Sequence, residues 1–293
     1  MAHYPNFLII GAMKCATTLL HDQLALQSGI FMSELKEPNF FSNDEQYSKG
    51  MEWYLSHFQP VDINDYLWGE SSTHYTKLPT YPQTIERIQK HLPDVKLIYV
   101  MRHPIDRLIS QYAHEWTMRV ISTEINQAIT KHPELIDYSR YSMQLKPYFK
   151  AFGQERVLPV FFERLLSQPQ AELERVCRFL GYQDTPVWQD LSATNLSNER
   201  WRSGPLRTFL VKNPLLQVIR QQLVPKSWRD WVRKSWSLQE KPELEPEKVE
   251  QLKAIFDEDL AVLGSWLDIE LSCDNFKDTV KECSGEWACQ VVT

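Results

Sequence analysis

Apolar residues along this chain fall into two alternating patterns, short continuous runs and helical repeats. Continuous runs, which are typical of strands buried on both faces of a parallel sheet, occupy residues 7–10, 67–70, 95–101 and 156–163. Apolar positions three and four apart predict helices that begin near residues 17, 81, 168 and 246. Gly181 and Gly264 follow two of these helices and are predicted to end them. Strands that alternate with helices predict an α/β fold with a central, mostly parallel sheet flanked by helices.

The turn between the first strand and the first helix carries the clearest chemical signal. Free backbone N–H groups and the positive end of the helix dipole face this turn, and Lys14 adds a full charge. We therefore predict a bound phosphate-like anion and a P-loop-type three-layer fold, against the alternative of an ordinary turn with a surface lysine. The spacing GxxKxxTT differs from the Walker pattern because its lysine comes third after the glycine. The predicted anion loop consists of Gly11, Ala12, Met13, Lys14, Cys15, Ala16, Thr17 and Thr18.

A second anion site is predicted at the end of the 95–101 strand. Arg102 follows this strand, where a phosphate-transferring P-loop enzyme usually offers an aspartate to magnesium. An arginine binds anions instead, through charge-assisted and bidentate hydrogen bonds. Ser110 lies in a helix that is predicted to open near Pro104, and its hydroxyl adds a further donor. Two anion sites on neighbouring strands fit a nucleotide that is phosphorylated at both ends.

Two titratable residues, Glu37 and His74, are candidates for a catalytic base, and Glu70 is expected at the same sheet edge. Glu37 lies in Lys36-Glu37-Pro38-Asn39-Phe40-Phe41, where aromatic rings would desolvate its carboxylate and strengthen it as a general base. Glu70 and His74 lie at the end of the 67–70 strand, at the sheet edge where ligands bind in such folds. The alternatives are structural: a surface loop fixed by its aromatic residues, and a histidine without a chemical role.

The two anion sites, in this order along the chain, resemble those of sulfotransferases that use 3′-phosphoadenosine 5′-phosphosulfate (PAPS). The resemblance implies that Lys14, Thr17 and Thr18 hold the 5′-phosphosulfate, and that Arg102 and Ser110 hold the 3′-phosphate. It also implies that PAPS is the co-substrate, that adenosine 3′,5′-bisphosphate (PAP) is the product, and that no metal takes part.

The segment from Lys36 to Phe41 resembles the KEPHFF-type segment of heparan-type and many bacterial sulfotransferases. The resemblance implies Glu37 as the base, with His74 as the second candidate, and Lys14 as the group that stabilises the leaving phosphate. A basic loop late in the family's chains closes over the adenosine, which implies such a role for Arg200 or Arg202. Two positions depart from the family. Ala16 stands where many members have glycine, and Ser71 stands where heparan enzymes carry a second lysine, which argues against a heparan-like acceptor.

Composition limits the partners and the location of the protein. The 293 residues carry a net charge of −6, which gives no general affinity for nucleic acid. The five cysteines include no pair or cluster with metal-ligand spacing, and we expect reduced thiols, with Cys15 as a small loop filler rather than a thiol of lowered pKa. The sequence shows no signal peptide and no apolar run long enough to span a membrane, so a cytoplasmic location is expected.

The patterns together predict one domain, with a core over about residues 5–215, a helical C-terminal extension to about 270 and a loosely held tail over 271–293. The expected activity is in-line transfer of a sulfuryl group from PAPS to a hydroxyl or amine of a small-molecule or carrier-bound metabolite, as in secondary metabolism. The alternatives are a P-loop kinase for small molecules that uses ATP and magnesium, and a nucleotide-binding module without activity that docks through the tryptophan-rich basic stretch 224–236. The acceptor and the oligomeric state stay open.

Overall fold

A parallel sheet forms the centre of the computed structural model, which describes residues 4–59, 66–190 and 242–288. The strands of this sheet are Phe7–Gly11 (β1), Ile30–Met32 (β2), Leu67–Ser71 (β3), Lys96–Met101 (β4) and Val157–Phe161 (β5). Their order is β2-β3-β1-β4-β5, and every neighbouring pair is parallel. The carboxyl ends of β1, β3 and β4 therefore meet at one edge, where parallel sheets bind their ligands. The predicted α/β class and its central parallel sheet are confirmed.

Helices cover both faces of the sheet, so nearly all strand residues are buried. Every residue of β1, β3 and β5 is buried, as expected for strands that read as continuous apolar runs. The described helices are Thr17–Ala25 (α1), Asp44–Tyr47 (α2), Gly50–Leu55 (α3), Thr84–His91 (α4), Pro104–Thr117 (α5), Ile125–Lys131 (α6), Glu134–Asp137 (α7), Tyr141–Phe152 (α8), Phe162–Ser167 (α9), Pro169–Leu180 (α10), Pro246–Leu267 (α11) and Phe276–Glu282 (α12).

Most predicted elements form, with changes at their ends. The predicted strand 156–163 ends at Phe161, because α9 begins at the next residue. Gly181 adopts φ 86° and ends α10 as predicted, since a left-handed C-terminal residue favours glycine. The short strand β2 was not predicted, because three residues are too few to show a period.

The last long helix, α11, continues past the glycine that was predicted to end it. Gly264 lies within α11, and the helix ends at Leu267, followed by Asp268 at φ 55°. A Cβ on Gly264 would lie 2.5 Å from the carbonyl oxygen of Ile269, so this glycine permits a close return of the chain rather than a helix end. The buried carboxylate of Asp259 in α11 accepts hydrogen bonds from the backbone N–H of Ser142 at 2.9 Å and of Met143 at 3.1 Å, which caps α8.

The C-terminal segment packs on the core over its described residues, which differs from the expectation of a loosely held tail. Phe276 and Val280 of α12 are fully buried, and the indole N–H of Trp287 donates to the carbonyl of Val157 at 2.6 Å. The guanidinium of Arg175 donates to the carbonyl of Gly285 at 2.8 Å. Periodicity gave no signal here because a helix of seven residues completes fewer than two turns.

No helix in the described ranges is both long enough and apolar enough to cross a bilayer.

Candidate functional site

The anion loop, residues 11–18, leads from β1 into α1 at the carboxyl edge of the sheet. The backbone N–H of Ala12 donates to the carbonyl of Val100 at 2.7 Å, which ties the loop to the neighbouring strand β4. Lys14 and Ala16 adopt left-handed backbone conformations, with φ of 72° and 65°. No side chain caps the start of α1, so its first N–H groups are left to face the loop. This arrangement suits an anion bound by backbone N–H groups.

Two residues show how tightly the loop is built. A Cβ on Gly11 would lie 1.9 Å from the hydroxyl oxygen of Thr76, so only glycine fits this close approach. The same hydroxyl donates to the carbonyl of Ile10 at 2.9 Å. Cys15 is fully buried, and burial raises the pKa of its thiol to about 12. The thiol is therefore neutral and fills space in the loop, which is the interpretation that the sequence favoured.

Arg102 follows β4 and lies against the anion loop. Its Nη1 is 3.5 Å from the carbonyl oxygen of Lys14, and its guanidinium carbon lies 4.7 Å from the centre of the Phe162 ring. The backbone of Arg102 is held by the phenol of Tyr141, which accepts from its N–H at 3.2 Å and donates to its carbonyl. The Nε of Arg102 is enclosed and has no hydrogen-bond partner among the described residues. The structure thus brings the arginine and the lysine loop together with donor capacity still unused.

Ser110, the predicted partner of Arg102, lies in the second turn of α5 and is 9% exposed. Helix α5 opens at Pro104 as expected, with the imidazole of His103 accepting from the N–H of Asp106 at its start. Arg102 and Ser110 therefore flank the same helix start, and the distance from Ser110 to a bound phosphate stays a prediction.

Glu37 lies next to the carboxyl end of β3. Its backbone N–H donates to the carbonyl of Ser71 at 3.0 Å, and its Oε1 lies 3.4 Å from the hydroxyl of Thr73. Phe40 and Phe41, which follow it, are buried, and the Phe40 ring stacks on Tyr54 with centroids 4.7 Å apart. The aromatic pair thus anchors the segment while the half-buried Glu37 stays at the sheet edge. The structure brings Glu37 and the anion loop to the same edge.

Lys36 is a site residue that the sequence predictions did not assign. Its ammonium donates to the hydroxyl of Thr18, at the start of α1. Burial lowers the pKa of Lys36, while the neighbouring charge of Glu37 opposes that shift. A second cation therefore reaches the anion loop, from the segment that carries the candidate base. The sequence shows this lysine directly before Glu37, but it does not show the contact with Thr18.

Ser71, which departs from the family lysine, pairs with a histidine. The imidazole Nδ1 of His21 lies 2.8 Å from the hydroxyl of Ser71. Burial, together with the charge of Lys36, lowers the pKa of His21 to about 4, so the ring is neutral at pH 7. A neutral pair thus occupies this position, and Lys36 supplies the cation beside it.

Glu70 is enclosed beneath the site. Its carboxyl is fully buried and accepts hydrogen bonds from Tyr75 at 2.6 Å and Ser72 at 3.1 Å. Burial raises its pKa to about 7, and the two hydroxyl donors only partly offset that effect. The Ser72 hydroxyl in turn accepts from the N–H of Asn39 at 3.1 Å. Glu70 therefore supports the segment that carries Glu37 from below.

His74 lies in the 3-10 turn Thr73–Thr76, directly after β3. Its ring stacks on Tyr81 with centroids 5.1 Å apart, and its Nδ1 is enclosed without a partner among the described residues. Burial lowers its pKa to about 4, with the charge of Lys77 acting in the same direction. The ring is therefore neutral at pH 7, and the choice between Glu37 and His74 as the base stays a prediction.

Other predicted features fall outside this edge or outside the described ranges. Arg200, Arg202 and the stretch 224–236 lie in the part of the chain that the structure does not describe.

A surface cavity that includes Val157, Arg178 and Trp287 lies at the amino end of β5, at the opposite edge of the sheet. Over residues 4–59, 66–190 and 242–288, no group of three or more His, Cys, Asp or Glu side chains could hold a metal ion.

Comparison with known proteins identifies the kind of domain that has this edge. The family model described as "Sulfotransferase domain" matches residues 4–264. Heparan sulfate glucosamine 3-O-sulfotransferase 5 from Mus musculus is 30% identical over 190 residues, which are 60% of this chain and 53% of that protein. Heparan sulfate glucosamine 3-O-sulfotransferase 3B1 from the same organism is 32% identical over 186 residues, 60% of this chain and 46% of that protein. The chain thus spans about half the length of these curated relatives.

A solved structure supports the fold over nearly the whole chain. A sulfotransferase from Alicyclobacillus acidocaldarius superposes with a TM-score of 0.64 at 24% identity. The match covers 92% of this chain and 98% of that one. It shows that the two proteins share one fold.

Proposed function

This chain belongs to the sulfotransferase family, and on that premise we propose that it transfers a sulfuryl group from PAPS to an acceptor hydroxyl or amine. The observation that carries the proposal is the contact between the two predicted anion sites. Arg102 Nη1 lies 3.5 Å from the carbonyl of Lys14, so one nucleotide can reach both cations. The family uses PAPS, a nucleotide with a phosphate at the 3′ position and a phosphosulfate at the 5′ position.

The residues at this edge fit such a nucleotide. The uncapped start of α1 together with Lys14, Thr17 and Thr18 would hold the 5′-phosphosulfate. Lys36 would add a second cation there, because its ammonium contacts Thr18. The enclosed Nε of Arg102 lacks a partner among the described residues, and a 3′-phosphate would supply one.

Glu37 and Lys14 would be the catalytic residues of the transfer. When bound, PAPS supplies the sulfuryl group and leaves as PAP. Glu37 accepts the proton of the acceptor as a general base, and the Thr73 hydroxyl, 3.4 Å from its Oε1, restricts the orientation of its carboxylate. Lys14 and the N–H groups of α1 stabilise the negative charge that develops on the departing phosphate. Arg102, which contacts the carbonyl of Lys14, contributes to binding and orientation of the nucleotide.

The acceptor is a small-molecule or carrier-bound metabolite in this proposal, and the cytoplasm remains the expected location. The curated relatives are named for heparan sulfate, but Ser71 stands where heparan enzymes carry a second lysine. The hydrogen bond between Ser71 and His21 fills that position with a neutral pair. The kinase alternative is not favoured, because the chain belongs to the sulfotransferase family and presents Arg102 after β4.

Isothermal titration calorimetry with PAP and with 5′-AMP tests the donor site, because the two ligands differ in the 3′-phosphate. We expect the unmodified protein to bind PAP more tightly by roughly 1.5 to 3 kcal/mol, the size of a hydrogen bond to a charged group. Arg102→Ala should remove most of this preference, while the exposed control Arg178→Ala should keep it. Equal affinity for the two nucleotides in the unmodified protein would contradict the proposal. A kinase would instead bind ATP with magnesium and lose its activity with EDTA.

A further inference from the structure

The turn after β3 presents a second group of polar side chains at the proposed site. Lys77 directly follows the 3-10 turn Thr73–Thr76, and its charge acts on His74 of that turn, whose pKa it helps to lower. Thr73 of the same turn contacts the Oε1 of Glu37. We call Thr73–Lys77 the acceptor-side turn, because Thr73 contacts the proposed base Glu37.

Lys77 is a buried cation without a polar partner. The residue is 8% exposed, and among the described residues no hydrogen-bond acceptor or carboxylate pairs with its ammonium. The Nζ lies over the ring of Tyr138, 5.6 Å from its centroid. Burial lowers the pKa of Lys77 to about 8, although the charges of Glu115 and Glu37 oppose that shift and Arg107 adds to it. The ammonium is charged at pH 7 and poorly solvated.

Other buried cations of the described chain have partners. Arg175 pairs with Glu172 and donates to the carbonyl of Gly285. Arg107, which is fully buried, donates to the side-chain oxygen of Gln111 and to the carbonyl of Leu135, each at 2.8 Å. A buried charge is costly unless it is paired, so the isolation of Lys77 needs a reason.

The surroundings of Lys77 suit an organic anion. The rings of His74 and Tyr81 stack at an interplanar angle of 14°, and the Nδ1 of His74 is enclosed without a described partner. The phenol of Tyr138 is fixed by a hydrogen bond of 2.5 Å to the hydroxyl of Thr80. Aromatic faces beside a lone cation would contact the body of a ligand while the cation binds its charged group.

We propose that Lys77 binds an anionic group of the acceptor, a carboxylate, phosphate or sulfate, and so selects acceptors that carry negative charge near the hydroxyl or amine to be sulfated. The inference rests on the proposed function, since it takes Glu37 to be the base that faces the acceptor. The ammonium then gains the hydrogen-bonded partner that the protein alone does not provide.

Paired phenolic probes test this inference. The probes are 4-hydroxyphenylacetate, its neutral amide and 4-hydroxybenzylphosphonate, each titrated calorimetrically into the protein with and without PAP. We expect the two anions to bind more tightly than the amide by about tenfold or more, as for a hydrogen bond between charged groups. Lys77→Met should erase this preference, and the exposed control Lys90→Met should keep it. A preference for only one anion would identify carboxylate or phosphate as the recognised group.

Three outcomes would overturn the inference: no preference for the anions, a preference that survives Lys77→Met, or no binding of any probe. The affinity for PAP, measured in the same samples, separates these outcomes from failure of the proposed function. Because Lys77 has no hydrogen bond or ion pair to lose among the described residues, Lys77→Met should not lower the melting temperature. A clear drop in melting temperature would show a structural role and would also contradict the inference.

Discussion

The proposed donor side and the proposed acceptor side of this site are built by different means. The anion loop is a continuous stretch of backbone whose shape depends on Gly11, on two left-handed residues and on the start of α1. The acceptor side is assembled from side chains of separate elements, with Glu37, Lys77 and Tyr138 meeting only in the fold. Binding of a nucleotide common to a family can thus be encoded locally, while recognition of one acceptor depends on distant residues.

The largest expected effect concerns the base that joins the two sides. Glu37→Gln keeps the size of the side chain but cannot accept a proton, so transfer from PAPS should slow by on the order of 10² to 10⁴. The affinity for PAP should stay unchanged, because Glu37 faces the acceptor. Rates of PAP formation with the phenolic anions and calorimetry with PAP measure the two quantities.

The exposed Glu34→Gln is the matched control and should behave like the unmodified protein. If Glu37→Gln keeps its activity while His74→Ala loses it, the base has been assigned to the wrong residue.

A smaller loss is expected from the donor side. Lys14→Ala removes one cation from the leaving phosphate, and turnover should fall by on the order of 10² to 10³, as for the loss of one oxyanion donor. Steady-state kinetics with saturating PAPS measure this effect, with Lys90→Ala as an exposed control. Unchanged turnover would remove the anion loop from the mechanism.

The buried carboxyl of Glu70, beneath the acceptor side, should make the free energy of unfolding depend on pH. Burial raises the pKa of Glu70 from 4.5 to about 7, so the folded protein holds an extra proton between these values. The free energy of unfolding should therefore fall as the pH rises through this range, and Glu70→Gln should lack this part of the slope. Between the two ends of the range, the free energy of unfolding measured with urea should fall on the order of 2 kcal/mol further for the unmodified protein than for Glu70→Gln. Parallel slopes for both proteins would contradict the buried, protonated carboxyl.

The smallest expected effect tests the backbone of the anion loop. Ala16 has φ 65°, a conformation that costs a residue with a Cβ more than it costs glycine. Ala16→Gly should stabilise the protein by about 0.5 kcal/mol, because relief of this strain slightly exceeds the entropy that glycine adds to the unfolded state. Ala254→Gly, in the middle of α11, is the control with the opposite sign and should destabilise by about 1 kcal/mol. Thermal unfolding measures both variants, and a loss of stability in Ala16→Gly would contradict the strain.

Sequence patterns predicted the strands, the helices and the anion loop better than the acceptor side. The strand and helix around Gly11 and Lys14 were predictable because an apolar run, a glycine and a helical repeat follow one another within a few residues. Lys36 was missed because its contact with Thr18 joins residues 18 positions apart. Lys77 was missed for the same reason. Glu115 approaches it from α5, and Tyr138 approaches it from the segment before α8. The roles of the site residues remain predictions until a nucleotide is bound.

The central claim is that Lys14 and Arg102 hold opposite ends of one nucleotide, and phosphorus NMR of bound PAP tests it most directly. The two phosphates give separate resonances, and both should shift when PAP binds to the unmodified protein. We expect Arg102→Ala to return only the 3′ resonance towards its free position, and Lys14→Ala to return only the 5′ resonance. If both variants affect the same phosphate, or neither affects any, then the two residues do not hold opposite ends of one nucleotide.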